Sequence, residues 1–278
     1  MEKLKIRWLL LFAFWTLSAS HAAAPARTPL PFKPDEVMVY EVKWKAPLFF
    51  MPSVHAGYTT LRVEAPTTYE GKRAMHFTAT AKSDGFFPKL GGIDIDDSFE
   101  SLVLEPDFCS LKIVKIQKEG DRKREITLTF DREHRKTHVV EKDISVNPGK
   151  LTRDETLPLP SCAVDVLSVF YAARRFDLES GRSFQMMLSD NGTTRPITIT
   201  VEKREIIDTG EGKVAAVKLH TGSAMGLFSR GGTFSIWYSD DQLRVPVRFE
   251  AKVNFGKVYG WLKSYRGEGR LGGAVAAK

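Results

Sequence analysis

Residues 245–255 alternate between apolar and mostly polar side chains. Val245, Val247, Phe249, Ala251, Val253 and Phe255 are separated by Pro246, Arg248, Glu250, Lys252 and Asn254. A β-strand turns successive side chains to opposite faces, so such a run buries one face and wets the other. The same period of two recurs in Met38, Tyr40, Val42 and Trp44, in Ile126, Leu128 and Phe130, and in Ile197, Ile199 and Val201. Parallel strands covered on both faces would give continuous apolar runs instead. The chain is therefore expected to build antiparallel strands, each with one wet face.

The punctuation between these runs agrees. Glu70-Gly71, Asn147-Pro148-Gly149, Asp190-Asn191-Gly192 and Thr209-Gly210-Glu211-Gly212 carry residues that tolerate the positive φ of tight hairpins. Pro246 has no amide hydrogen, which places it at an edge, a bulge or a strand start.

One segment changes period. Ala163, Val166, Leu167 and Phe170 fall at helical spacing behind Pro158, Pro160 and Ser161, with Ser161 as the expected N-cap. Asp165 near its start and Arg174 and Arg175 near its end suit the helix dipole. A helix is expected over residues 162–176. These signals predict an all-β, mostly antiparallel fold. The expected form is a large curved sheet or partly open barrel with one α-helix packed on it, as a single domain over residues 35–266.

The N-terminus supplies an address. Lys3, Lys5 and Arg7 precede the apolar run Trp8 to Leu17, and Ser18 to Ala24 is mostly small. That order reads as a secretory signal over residues 1–24, cleaved after Ala22 or Ala24. The run is about half the roughly 20 residues of a spanning helix, so no membrane anchor is expected after cleavage. A proline-rich lead-in over residues 25–34 should be extended, and the glycine-rich tail 267–278 should fray. The protein is expected in the periplasm or outside the cell.

Charge narrows the partners. The whole chain carries a formal +7, and removing residues 1–24 takes away Lys3, Lys5, Arg7 and Glu2. The remaining basic residues are interleaved with acidic ones, as in Asp121-Arg122-Lys123-Arg124-Glu125, so no nucleic acid partner is expected. Two cysteines remain, Cys109 and Cys162. In an oxidising compartment they either pair, which would stabilise the fold by roughly 3–4 kcal/mol, or sit as two small buried apolar side chains.

Signals for catalysis are weak. His134 and His138 would suit a metal on a helix, but on a strand they stand about 13 Å apart. Asp94, Asp96 and Asp97 lack the ligand spacing of a calcium loop. There is no Gly-x-Ser-x-Gly elbow, and the glycine-rich stretch 222–232 precedes a strand-like run rather than the helix a phosphate cradle needs. No cofactor, metal site or catalytic set is expected, and the chain does not read as an enzyme.

Apolar loops depart from ordinary patterning. Pro47-Leu48-Phe49-Phe50-Met51-Pro52 and Gly85-Phe86-Phe87-Pro88 each hold a Phe pair beside proline, and Leu227-Phe228 makes a third site. Loops are normally polar. Phe49, Phe50, Phe86, Phe87 and Phe228 either complete the core or rim a cavity or a partner surface. Asp165, Arg174, Asp240 and Arg244 are candidate polar anchors, either as a buried Asp–Arg pair joining helix to sheet or as polar points in a ligand cavity.

The chain resembles the secreted bacterial domain-of-unknown-function family 3108. The resemblance rests on Phe32-Lys33-Pro34-Asp35-Glu36 leading to Tyr40, on Ala56-Gly57, on Asp97 with Glu100-Ser101, and on Phe130-Asp131. It continues through residues 165–171 with Arg174, then Ile236-Trp237-Tyr238-Ser239-Asp240-Asp241, Arg244-Val245-Pro246-Val247 and Phe255-Gly256. It implies a secreted, mostly antiparallel β protein with no assigned activity and no catalytic residues to transfer. The sequence expectation is a protein that binds or carries an apolar, lipid-like envelope component. The alternative is a non-enzymatic envelope partner that docks through the Phe-rich loops.

Overall fold

The computed structural model describes residues 30–47, 52–85, 94–105, 107–223, 232–253 and 256–271. The first half of the chain forms β1 (Val37–Lys45), β2 (Val54–Tyr69), β3 (Lys72–Ser83), β4 (Asp96–Leu104), β5 (Ser110–Glu119), β6 (Arg122–Asp131), β7 (Lys136–Asp143) and β8 (Lys150–Pro158). After β9 (Val164–Asp165), α1 (Ser168–Ala172) and a 3-10 turn over Ala173–Arg175 come β10 (Ser183–Asp190), β11 (Thr193–Thr209), β12 (Gly212–Ser223), β13 (Thr233–Ser239), β14 (Pro246–Val253) and β15 (Gly256–Arg266). Among the described residues, no helix is long and apolar enough to cross a membrane.

All strands among the described residues join one 15-stranded sheet. From β1, each strand through β8 pairs antiparallel with the next. On the other flank of β1 stands β15, and the sheet runs back from it through β14 to β10. The midline is thus the β1–β15 pair, in register from Val37↔Arg266 to Lys45↔Lys257. Of these described strands only β9 is parallel to its neighbour, pairing Val164 and Asp165 with Leu188 and Ser189 of β10. The sheet curls without closing: β8 and β9 are its two ends. The expected curved antiparallel sheet, or partly open barrel, is the fold observed.

Side chains bridge the gap between the ends. The β10–β11 hairpin lies against the N-terminal half, where Lys115 Nζ reaches Asp190 Oδ1 at 3.0 Å and Asn191 Oδ1 at 2.5 Å. Gly192 takes φ +82°, and a Cβ there would overlap Val139 and stand 2.7 Å from Leu157 Cδ1. Cys109 and Cys162 form a disulfide, with Cα atoms 5.2 Å apart, tying the start of β5 to the segment before β9. Beside it the Ser110 amide donates to the Ala163 carbonyl at 2.8 Å.

The core lies on the concave face and α1 sits inside it. Met38, Met75, Phe77, Ile113, Ile126, Leu128 and Val139 bury the inner face of the first half. Tyr171 stacks on Phe77 with ring centroids 4.1 Å apart. A second cluster in the other half gathers Val201, Val217, Leu219, Phe234, Ile236 and Tyr238 around Ala173. The helix is therefore a wedge with one flank toward each half. Each buried side chain of this kind contributes about 1.5–3 kcal/mol.

Two expectations are corrected. The helix is shorter than 162–176, because Val164 and Asp165 are drawn into β9. Ser161 is not its cap: the Asp165 carboxylate takes the amides of Leu167 and Ser168, both at 2.9 Å, and sets where the helix begins. The run 245–255 is also divided. β14 starts at Pro246, beside a register irregularity in the β13–β14 pair, which is where a residue without an amide hydrogen fits. β14 ends at Val253, and residues 254–255 lie outside those described.

Candidate functional site

A cleft of about 1160 Å³ opens where α1 and the 3-10 turn meet the start of β10 and the chain entering β1. Its walls are mostly apolar, with Phe32, Met75, Phe108, Phe176, Met186 and Leu243 among them. Phe32 packs edge-on against Phe77, Phe108 and Tyr171, which fixes that wall. Charged side chains at the cleft carry both signs, with Lys33 and Arg175 against Glu105, Asp107 and Glu268.

The polar feature of the cleft is Arg174 with Glu36. Arg174 is fully buried and Glu36 is 2 % exposed. Nη1 donates to Glu36 Oε1 at 2.5 Å and Nη2 to Oε2 at 2.9 Å, a forked ion pair. Nη2 also donates to the carbonyls of Pro31 and Leu243, both at 2.7 Å, and Nε to Leu243 at 3.0 Å. The guanidinium lies over the Phe32 ring, 5.0 Å from its centroid. Burial pulls against this charge, but the Glu36 carboxylate outweighs it and holds Arg174 above its ordinary pKa. Tyr265 donates to Glu36 Oε2 at 3.2 Å. Burial, and then the Glu36 charge, push its phenol well up, so it stays a neutral donor.

Of the candidate anchors, Arg174 and Arg244 meet at this cleft. Arg244 Nη1 donates to the carbonyl of Arg174 at 3.0 Å and to that of Phe176, closing the open end of the 3-10 turn. Asp165 and Asp240 do not join them. Asp240 pairs with Arg204 at 2.8 Å, half in solvent. Asp165 is sealed and accepts hydrogen bonds from Ser101 Oγ at 2.6 Å and Ser110 Oγ at 2.5 Å besides its two amides. The expected buried Asp–Arg pair is thus replaced by Glu36–Arg174, because hydroxyls and amides already satisfy Asp165.

Glu36, Tyr265 and Met186 are contributors that the pattern did not single out. A glutamate beside an apolar strand reads as solvent-facing, and only its 2 % exposure reveals the role. The other candidate chemistry disperses. His134 pairs with Asp131 and His138 with Asp154, each at 2.7 Å. Asp94 accepts from Ser83, Asp96 from the Lys118 side chain and Asp97 from the Lys118 amide. Among the described residues, no group of three His, Cys, Asp or Glu gathers as for a metal ion. Phe49, Phe50, Phe86, Phe87 and Phe228 lie outside the described residues.

Comparison with known proteins gives a family and a fold. Residues 39–262 match the family described as protein of unknown function (DUF3108), and the chain belongs to it, as its motifs suggested. No curated protein matches. A β-barrel-like protein of domain of unknown function DUF1849 from Brucella abortus is similar over 84 % of this chain and 97 % of its own, at 10 % identity and a TM-score of 0.50. A protein with a YmcC-like fold from Bacteroides fragilis aligns over 85 % of this chain and 98 % of its own, at 10 % identity and a TM-score of 0.30.

Proposed function

With membership of that family as the premise, we propose that the protein is an exported, non-enzymatic binding protein of the bacterial envelope. Its cleft holds an elongated, largely apolar ligand, lipid-like in the simplest case. The observation that carries this reading is the cleft itself. A cleft of about 1160 Å³ whose exposed wall is mostly apolar, with Phe32, Phe108, Phe176, Met75, Met186 and Met187 in it and a buried polar pair beside them, is the make-up of a small-ligand site. The hydroxyls of Ser101 and Ser110 are spent on Asp165 away from the cleft, and that of Tyr265 at the cleft is spent on Glu36, which supports binding over catalysis. Export is supported by the basic, apolar and small segments over residues 1–24 and by the Cys109–Cys162 bond, which suits an oxidising compartment.

The test is native mass spectrometry and solvent extraction of protein purified from its own envelope, followed by titration with dansyl-undecanoate. A co-purifying apolar molecule, or probe uptake that Met186→Arg weakens by about tenfold or more, is the expected result. Protein that carries nothing and takes up no probe overturns the reading.

A further inference from the structure

Among the described residues the sheet ends in two unpaired edges, and they are built differently. β8 is exposed along most of its 9 residues, carries Lys150, Arg153, Asp154 and Glu155, and stops at Pro158. Charge and proline are the usual means of preventing another strand from adding to an edge. The edge of β10 is uncharged over residues 183–187. β9 covers it only at Leu188 and Ser189. Below that point residues 183–187 read Ser-Phe-Gln-Met-Met, with no charge and no proline, and among the described residues they pair with β11 on the opposite side alone.

This edge faces the cleft. Gln185, Met186 and Met187 follow one another along β10, and all line the same cleft. Successive residues of a strand point to opposite faces. A cavity touched by them in succession therefore meets the edge of the strand, where its unpaired backbone groups point, and not one face. Val164 and Cys162 line the cleft in continuation of β9.

We propose that the cleft receives an extended polypeptide segment of an exported partner, added as a strand along residues 183–187 of β10. The proposal rests on the binding reading above, keeps its cleft and apolar contacts, and replaces the lipid-like ligand with a polypeptide. A polypeptide supplies amide donors and carbonyl acceptors at about 3.3 Å per residue, matching the edge, whereas an acyl chain offers none. Main-chain pairing provides the attachment, and apolar side chains of the added strand enter the cleft. Met186 and Met187 adapt to varied shapes, so the site tolerates more than one sequence. The chain's own lead-in is a poor occupant, because Pro25, Pro29, Pro31 and Pro34 have no amide hydrogen to give.

The experiment titrates the full-length exported protein with three probes. One is a fluorescein-labelled peptide of alternating threonine and valine, one is the same peptide with every amide N-methylated, and one is dansyl-undecanoate. The unmethylated peptide should bind, displace dansyl-undecanoate and slow amide exchange at Gln185 to Met187. Methylation should weaken binding by about tenfold or more, and Met187→Lys should weaken the peptide similarly while leaving the circular dichroism unchanged. Equal binding of the methylated peptide, or dansyl-undecanoate binding with no peptide binding, overturns strand addition and leaves the binding function standing. Failure of every probe to bind overturns both.

Discussion

Asp165 precedes α1 and Arg174 lies just beyond it. Both are fully buried, yet their charges are met in opposite ways. Asp165 has no cation among its partners: two serine hydroxyls and two amides, all from residues 101–168, share its charge. Arg174 has a full counter-charge and draws its partners from Pro31, Glu36 and Leu243, on stretches remote in the chain. The first is a joint within the N-terminal half that positions the helix. The second ties the entry to β1, the helix and the β13–β14 turn into one wall of the cleft. A charge held by several neutral donors can lose one and keep the rest. Arg174 can keep its bonds to the Pro31 and Leu243 carbonyls, but without Glu36 its counter-charge is lost whole.

Glu36→Ala breaks that contrast where it is strongest. It strands a buried guanidinium and should cost about 3–5 kcal/mol in urea unfolding, while the double variant Glu36→Gln with Arg174→Met should recover much of the loss. A double variant as unstable as the single one would mean that the pair is not the source. At the other station, Ser110→Ala removes one hydrogen bond from a carboxylate that keeps three, and should cost about 1.5–3 kcal/mol. Equal losses at the two stations would erase the distinction.

Asp97 sharpens the comparison from a third side. It is buried on β4, the strand that also supplies Ser101, but it takes only the Lys118 amide at 2.8 Å. Burial raises its pKa from 3.8 to about 6. A carboxyl whose folded pKa exceeds its unfolded value weakens the fold above the folded value, and the penalty fades as pH falls toward the unfolded one. Asp97→Asn should therefore be more stable than the parent by about 1–2 kcal/mol at pH 7, with the gap narrowing between pH 6 and pH 4. Thermal melts across that range check the effect, and a constant gap would count against it.

The sheet was legible because one-sided burial writes itself into alternation. The strands around Tyr40, Leu128 and Val201 follow that rule, and the hairpin at Asn191-Gly192 takes the positive φ its residues allow. The helix was over-read for a definite reason. Residues 163–169 are buried on every side, so their apolar spacing held no information about a face, and the parallel bridge of Val164 and Asp165 to β10 claimed the expected first turn. The cleft was less legible still. Arg174 stood out as a charge on an apolar segment, but Glu36 lies 138 residues away, and nothing local joins the two. Asp165 was the nearer and wrong partner because serines at 101 and 110, ordinary in a strand, carry no mark of what they donate to.

The pairing of β1 with β15 sets the order of assembly. β2 to β8 and β10 to β15 can each grow hairpin by hairpin from neighbours in the chain, whereas Val37 and Arg266 meet across almost the entire described length. Such a contact carries the largest loop-closure entropy of the fold and is expected to form late. Both half-sheets keep a bare inner margin until β15 arrives. On the export proposed above, the chain cannot complete its midline in transit, and commits to its final shape only after β15 has emerged.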